Sequence, residues 1–263
     1  MDDTLIRLHN VMLELLDEFV RICEKNNLVY FLTAGTLLGA VRHKGFIPWD
    51  DDMDIAMPRN DYEKFLDLYD GNNTSNYYVL SNRSPNDVVH HDKQYAKLCK
   101  KGTVYAEKNV NPNKYSGIFI DIFPFDKCVL FFAPLQTLLI KSTLKLYLMK
   151  TRIAIPQKKI KIFVGKILCF FSRERFLDTL LSKLYLLFNK FNTKYISFFS
   201  GRYGWKKETH KYSDVFPLTR IQFEGKYYCV PCNWDLFLKK LYGNYMELPP
   251  VEERHIHHDP DYL

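Results

Sequence analysis

Residues 49–55 read Trp-Asp-Asp-Asp-Met-Asp-Ile, an aspartate run held between the apolar stretches Ile47-Pro48-Trp49 and Ile55-Ala56-Met57. Aspartate is a poor strand former, and adjacent like charges in a partly buried segment are costly unless something compensates them. If the segment is a strand from Asp50 to Met57, side chains alternate. Asp50, Asp52 and Asp54 then share one face and Asp51 points the other way. Neighbours on a face are separated by roughly 7 Å, close enough for two carboxylates to converge on one hard cation. Mg²⁺ prefers a few carboxylates completed by substrate phosphate oxygens, so the run predicts a divalent-metal site in a phosphoryl-handling enzyme.

Two further features fit that prediction. Asp121 stands alone in Gly117-Ile-Phe-Ile-Asp121-Ile-Phe-Pro124, and buried aspartate is rare unless paired or metal-bound. A strand here beside the first would place Asp121 near Asp52 and Asp54, as metal ligand or base. Upstream, Leu28–Leu32 reads as a strand leading into Gly35-Thr36, which opens a short helix through Arg42. Backbone N–H groups at such a turn, plus a hydroxyl, suit a phosphate.

The remaining pattern fills in an α+β domain. Apolar residues at helical spacing predict a helix over 3–26, and Pro58 starts another carrying Tyr62, Phe65, Leu66 and Tyr69. Short strands are predicted at 77–81, 94–99, 103–106 and 117–123. A hairpin is predicted over 221–230 around Glu224-Gly225, followed by a helix over 233–241. Helices with interspersed strands indicate one mixed sheet with flanking helices.

The charge is divided unevenly. Residues 127–211 hold 18 Lys and Arg against three acids, a balance of +15, whereas the rest of the chain balances to −8. The basic part is rich in Leu, Phe and Ile, with helical patterns over 130–150, 159–172 and 174–199. In the last, Phe176, Leu180, Leu181, Leu184, Leu187, Phe188 and Phe191 form one stripe. Three segments are expected: a catalytic core over 1–127, a basic helical insertion over 128–212, and a C-terminal part over 213–263 returning to the core. Long Phe/Leu/Lys stretches suit an interfacial helix on an anionic membrane. No nucleic-acid reading motif is present. Eighteen successive uncharged apolar residues do not occur, and MDDTLIRLHN does not read as a signal peptide. The expected location is therefore cytoplasmic, at the membrane periphery. The six cysteines are expected to be reduced, and Cys229-Val-Pro-Cys232 reads as a strand end and turn. His255-Ile-His257-His258-Asp259 reads as a solvated tail.

The stretch Phe31-Leu-Thr-Ala-Gly35-Thr36-Leu-Leu-Gly-Ala-Val-Arg42-His-Lys-Gly-Phe-Ile-Pro-Trp-Asp50-Asp51-Asp52-Met-Asp54-Ile55 closely resembles the LicD family of phosphotransferases, with fukutin and fukutin-related protein as distant relatives. The resemblance extends more weakly to Tyr95-Ala-Lys97-Leu98, Asp214-Val-Phe-Pro-Leu218, Phe223-Glu-Gly225 and Leu241–Met246. It implies a nucleotidyltransferase-like fold and Mg²⁺-dependent transfer of a phospho-alcohol such as phosphocholine. The implied donor is CDP-activated and the acceptor a sugar hydroxyl of a cell-surface or lipid-linked glycan, lipopolysaccharide or teichoic acid. Carried over by position, Asp52 and Asp54 resemble the metal pair, Asp50 a further acidic member, and Asp121 the third carboxylate. Gly35 and Thr36 sit where that fold has a Gly-Ser phosphate turn. Arg42 and Lys97 are candidates for donor phosphates. A nucleotidyltransferase acting on a small acceptor would release pyrophosphate rather than CMP. A silent scaffold in glycan assembly would have no need of the aspartates.

Overall fold

The computed structural model of the protein describes residues 3–69, 76–81, 83, 95–105, 116–150 and 174–254. The tail histidines and the pattern over 159–172 lie outside these residues. The chain divides into two compact units, Met1–Pro124 with Ser213–Leu263, and Phe125–Tyr212.

The first unit is built on a mixed sheet with flanking helices, an α+β arrangement. Helix α1 (Asp3–Lys25) buries Leu8, Met12, Leu15, Leu16 and Phe19 along one face, the stripe its periodicity predicts. Strand β1 (Phe31–Leu32) turns directly into α2 (Ala34–His43). Then follow β2 (Asp54–Pro58), α3 (Arg59–Tyr69), β3 (Tyr77–Leu80), β4 (Ala96–Lys100) and β5 (Phe119–Cys128). The sheet order is β1-β2-β5-β4-β3. Its register sets Lys97 opposite Asp121 across β4 and β5, and β2 beside β5 through Asp121 N–H donating to Met53 O at 2.8 Å. The expected strand over 103–106 is reduced to a single bridge between Tyr105 and Ser116.

The second unit continues from β5. Helices α4 (Ala133–Lys150) and α5 (Glu174–Leu186) pack together around Ile140, Leu144, Tyr147, Leu177, Leu181 and Tyr185. Strand β6 (Tyr195–Ser197) joins the end of β5, and β7 (Thr209–Lys211), after the one-turn α6 (Trp205–Glu208), joins β6. The helix expected over 174–199 therefore stops early. The side chain of Asn189 accepts from Lys127 N–H at 2.7 Å and donates to Asp126 at 2.6 Å, which commits the following residues to the sheet.

The chain then returns to the first unit through α7 (Tyr212–Val215), the hairpin β8 (Thr219–Phe223) and β9 (Lys226–Val230), and α8 (Trp234–Tyr242). Glu224 and Gly225 both have positive φ, 46° and 79°, the backbone a two-residue hairpin turn requires. Glu224 tolerates that strain because it is anchored. Its carboxylate accepts from Phe46 N–H at 3.0 Å, and its own N–H donates to Lys44 O at 2.9 Å. A Cβ on Gly45 would lie 2.1 Å from that carboxylate, so glycine is needed where the hairpin grips the loop leading to the aspartates. Cys229 lies next to the end of β9 and Cys232 follows in the turn, with its thiol donating to Ser213 O; the described cysteines form no disulfide with one another.

Candidate active site: an aspartate cluster at the start of β2

The aspartates are not on a regular strand. β2 begins only at Asp54, and residues 50–53 are irregular. The carboxylates of Asp50, Asp51 and Asp52 consequently lie within 4.8 Å of one another. This corrects the expectation that Asp51 faces away from its neighbours. Asp51 is 1% exposed and belongs to the cluster.

Clamps from distant parts of the first unit hold this backbone. His9, on α1, bonds through Nε2 to Asp50 O at 2.7 Å while its ring stacks on Phe46 at 3.8 Å. The buried Tyr105 hydroxyl donates to Asp51 O. Asp50 N–H closes a turn onto Ile47 O, Met53 O accepts from Asp121 N–H, and Thr33 N–H donates to Asp54 O at 3.2 Å. None of these partners is close in sequence to the residue it holds, except Ile47. Sequence reading missed His9 and Tyr105 for that reason. The only local signal was a histidine inside the apolar stripe of α1.

The Gly35-Thr36 turn serves the aspartates first. Thr36 is buried, and its hydroxyl oxygen accepts from Asp54 N–H at 2.8 Å, leaving its own hydrogen uncommitted by that bond. The Gly35 N–H bonds to the Asp54 carboxylate. A Cβ on Gly35 would lie 2.9 Å from Asp50 Oδ2 and 3.8 Å from Asp54 Oδ2, so the glycine makes the room in which two carboxylates approach. Gly35→Ala is expected to displace the Asp50 carboxylate and lower turnover by on the order of a hundredfold, with circular dichroism unchanged. Thr36→Val strands a buried N–H and is expected to cost about 1–3 kcal/mol of stability. Thr36→Ser keeps the acceptor and should melt close to the wild type. Equal melting of Val and Ser variants would refute the role given to the hydroxyl.

Electrostatics confirm the crowding. Burial first, then the charges of Asp52 and Asp51, push the Asp50 carboxyl well above the ordinary range. Burial, then Asp52, Asp121 and Asp50, does the same to Asp54, against the bond from Gly35. Asp121 is thus electrostatically near Asp54, although it is outside the tight trio. The ammonium of Lys97, itself buried, lies 4.0 Å from Asp121 and 3.5 Å from the centre of the Phe119 ring. Arg42 is largely engaged elsewhere. It donates to Tyr245 O at 2.8 Å, Glu247 O at 3.3 Å and His43 at 3.0 Å, tying the C-terminal segment to α2. Burial, with Arg254 nearby, lowers its pKa, while Asp50 acts in the opposite direction.

A crowd of carboxylates that repel one another, kept together by backbone clamps, matches the chemistry of a hard divalent cation. The space left at Gly35 is consistent with that.

Residues 27–133, which contain every one of these aspartates, match the family described as LicD/FKTN/FKRP, nucleotidyltransferase domain. Over 261 residues the chain is 28% identical to the lipopolysaccharide cholinephosphotransferase LicD of Haemophilus influenzae, covering 94% of this chain and 93% of that protein. The chain is thus similar to the LicD family, in its nucleotidyltransferase domain over residues 27–133 and to one LicD protein over nearly its whole length. Short stretches also match uncharacterised proteins of Rickettsia typhi and Rickettsia prowazekii. The first is 44% identical over 55 residues, 21% of this chain and 18% of that protein, and the second 48% over 48 residues, 18% of each. Within the segment that matches this family, the aspartate cluster is a concentration of charge that calls for a counter-ion.

Proposed function

We propose that this protein is a LicD-type enzyme that transfers a phospho-alcohol, phosphocholine or a close analogue, from a CDP-activated donor to a sugar hydroxyl of a cell-surface glycan such as lipopolysaccharide, with release of CMP. The observation that carries the proposal is the clamped aspartate cluster inside the family-matching segment. Its counterpart in function is the similarity, over nearly the whole chain, to a protein named for lipopolysaccharide cholinephosphate transfer.

Asp50, Asp52 and Asp54 are proposed to hold one or two Mg²⁺ ions, with Asp51 now added to the set. Bound there, the metal would neutralise charge on the transferring phosphoryl and its leaving group. Asp121 either completes the ligand set or takes the proton from the attacking sugar hydroxyl. Lys97, whose ammonium lies 4.0 Å from Asp121, offers a positive charge to a donor phosphate. Thr36 can donate its free hydrogen to the same group. Arg42 is proposed to act there mainly by fixing the C-terminal segment over α2. The acceptor glycan, if carried on a lipid, would require the protein to sit at the periphery of the cytoplasmic face of a membrane. Among the described residues no helix is long and apolar enough to cross one.

The test is a panel of CDP-alcohols (choline, ethanolamine, glycerol, ribitol) in thermal melting, each with and without Mg²⁺. One of them is expected to raise Tm in the presence of Mg²⁺ and to do little without it. A shift by nucleoside triphosphates, with none by any CDP-alcohol, would overturn the proposal in favour of nucleotidyl transfer.

A further inference from the structure

Helix α4 buries Ile140, Leu144 and Tyr147 in its later turns but exposes apolar side chains near its start. Gln136, Thr137 and Thr143 are buried, whereas Leu135, Leu138 and Leu139 are exposed, Leu138 by 61%. The Gln136 amide N–H donates to Leu184 O at 2.7 Å and the Thr137 hydroxyl to Ala133 O at 2.7 Å. Leu135, Leu138 and Leu139 thus form an outward apolar strip on the first half of the helix. At the start of the helix the exposure continues into an aromatic patch. Phe131 is 83% exposed and Phe191 61%. Phe131, Phe132, Phe188 and Phe191 form a chain of ring contacts at 5.2, 5.9 and 6.3 Å. Beside them lies an open apolar groove of about 450 Å³, with Lys194 on its lining. Exposed lysines at 183, 190 and 194 accompany the patch, in a stretch whose charge balance is +15.

We infer that the second unit carries a membrane-insertion site, in which Phe131, Phe132, Leu135, Leu138, Leu139 and Phe191 enter the acyl boundary of an anionic bilayer while the lysines meet its headgroups. A contiguous apolar surface of this kind is unusual on a soluble protein. The surrounding positive charge selects an anionic lipid surface over a neutral protein partner. This deepens the reading that the acceptor is membrane-borne, and rests on it for its purpose but not for its evidence.

The experiment uses the full chain and vesicles of phosphatidylglycerol and phosphatidylcholine, with phosphatidylcholine vesicles as the control. Co-sedimentation with the anionic vesicles is expected, weakening in high salt without disappearing. Leu135→Ser with Leu138→Ser should weaken vesicle binding by about tenfold or more, because two apolar side chains no longer leave water. Lys190→Glu with Lys194→Glu should remove most of the salt-dependent part. All four positions are exposed, so the fold should survive, and the Mg²⁺-dependent shift by a CDP-alcohol should be unchanged in both variants. That separates failure of this site from failure of the proposed chemistry. Absence of binding to anionic vesicles at low salt would overturn the inference. So would a dimer in sedimentation equilibrium that the Leu→Ser pair dissociates, since a second copy would then cover the face.

Discussion

Asp52→Asn and Asp54→Asn should each lower transferase turnover by on the order of a thousandfold, through loss of charge stabilisation at the phosphoryl group. The same substitutions should leave the metal-free protein at least as stable as the wild type. The reason is the direction of the electrostatics. Burial and mutual repulsion already make the charged forms of Asp50 and Asp54 unfavourable, so replacing one charge by an amide relieves its neighbours. Loss of function with a gain of Tm separates a site that stores repulsion for a ligand from an ion pair that holds the fold, which would lose stability. Asp51→Asn belongs to the same series, because its carboxylate is within 4.8 Å of those of Asp50 and Asp52. Near-native turnover in Asp52→Asn or Asp54→Asn would remove them from the chemistry.

The second large effect is a pH-dependent response to Mg²⁺. Folded-state pKa values of Asp50 and Asp54 lie above the ordinary 3.8. For such groups the folded state binds protons more tightly than the unfolded one. Their contribution to stability is therefore complete below the ordinary value and is lost as pH rises through the raised pKa. Metal binding requires the deprotonated forms. The rise in Tm on adding Mg²⁺ should thus be negligible in acid and grow as pH passes through the raised values, with its largest size on the alkaline side. Glu208, pushed by burial to about 7, shifts stability in the same direction as the aspartates. It lies in the second unit, so it cancels in the difference between melts with and without Mg²⁺. Melting series from pH 5 to 8 in EDTA and in Mg²⁺ give that difference directly. A Mg²⁺ shift equal at every pH would show that the cation binds elsewhere.

What the sequence made legible follows physical range. Helix α1, the β1–α2 turn, α3 and the β8–β9 hairpin depend on local periodicity and turn chemistry, and their positions were readable from Leu8 to Cys23, from Gly35-Thr36, from Pro58 and from Glu224-Gly225. The aspartates announced themselves by composition alone. Their geometry did not, because His9, Tyr105 and Asp121 reach the segment from 41, 54 and 68 positions away and pull it out of strand form. Thr36 was read only as a phosphate contact; that its oxygen also accepts from Asp54 N–H was not legible, because the two residues are 18 positions apart. In the second unit, the stripe from Phe176 to Phe191 suggested an interfacial face. Of its members Leu181 is buried and Leu184 partly buried, in a core that also takes Leu177 and Tyr185, while Phe176 and Phe191 are exposed. Periodicity marks an apolar stripe but does not say whether protein or something else covers it.

The most direct measurement is product analysis. Purified protein would be incubated with Mg²⁺, CDP-[¹⁴C]choline and lipopolysaccharide lacking phosphocholine, and both radiolabel on the glycan and free nucleotide quantified. CMP released in equal amount to choline gained by the glycan, and abolished by EDTA and by Asp52→Asn, is the predicted result. If another CDP-alcohol gave the Mg²⁺-dependent Tm shift, it replaces choline in the same assay. Release of pyrophosphate from a nucleoside triphosphate, or label transfer that survives EDTA and Asp52→Asn, would contradict it.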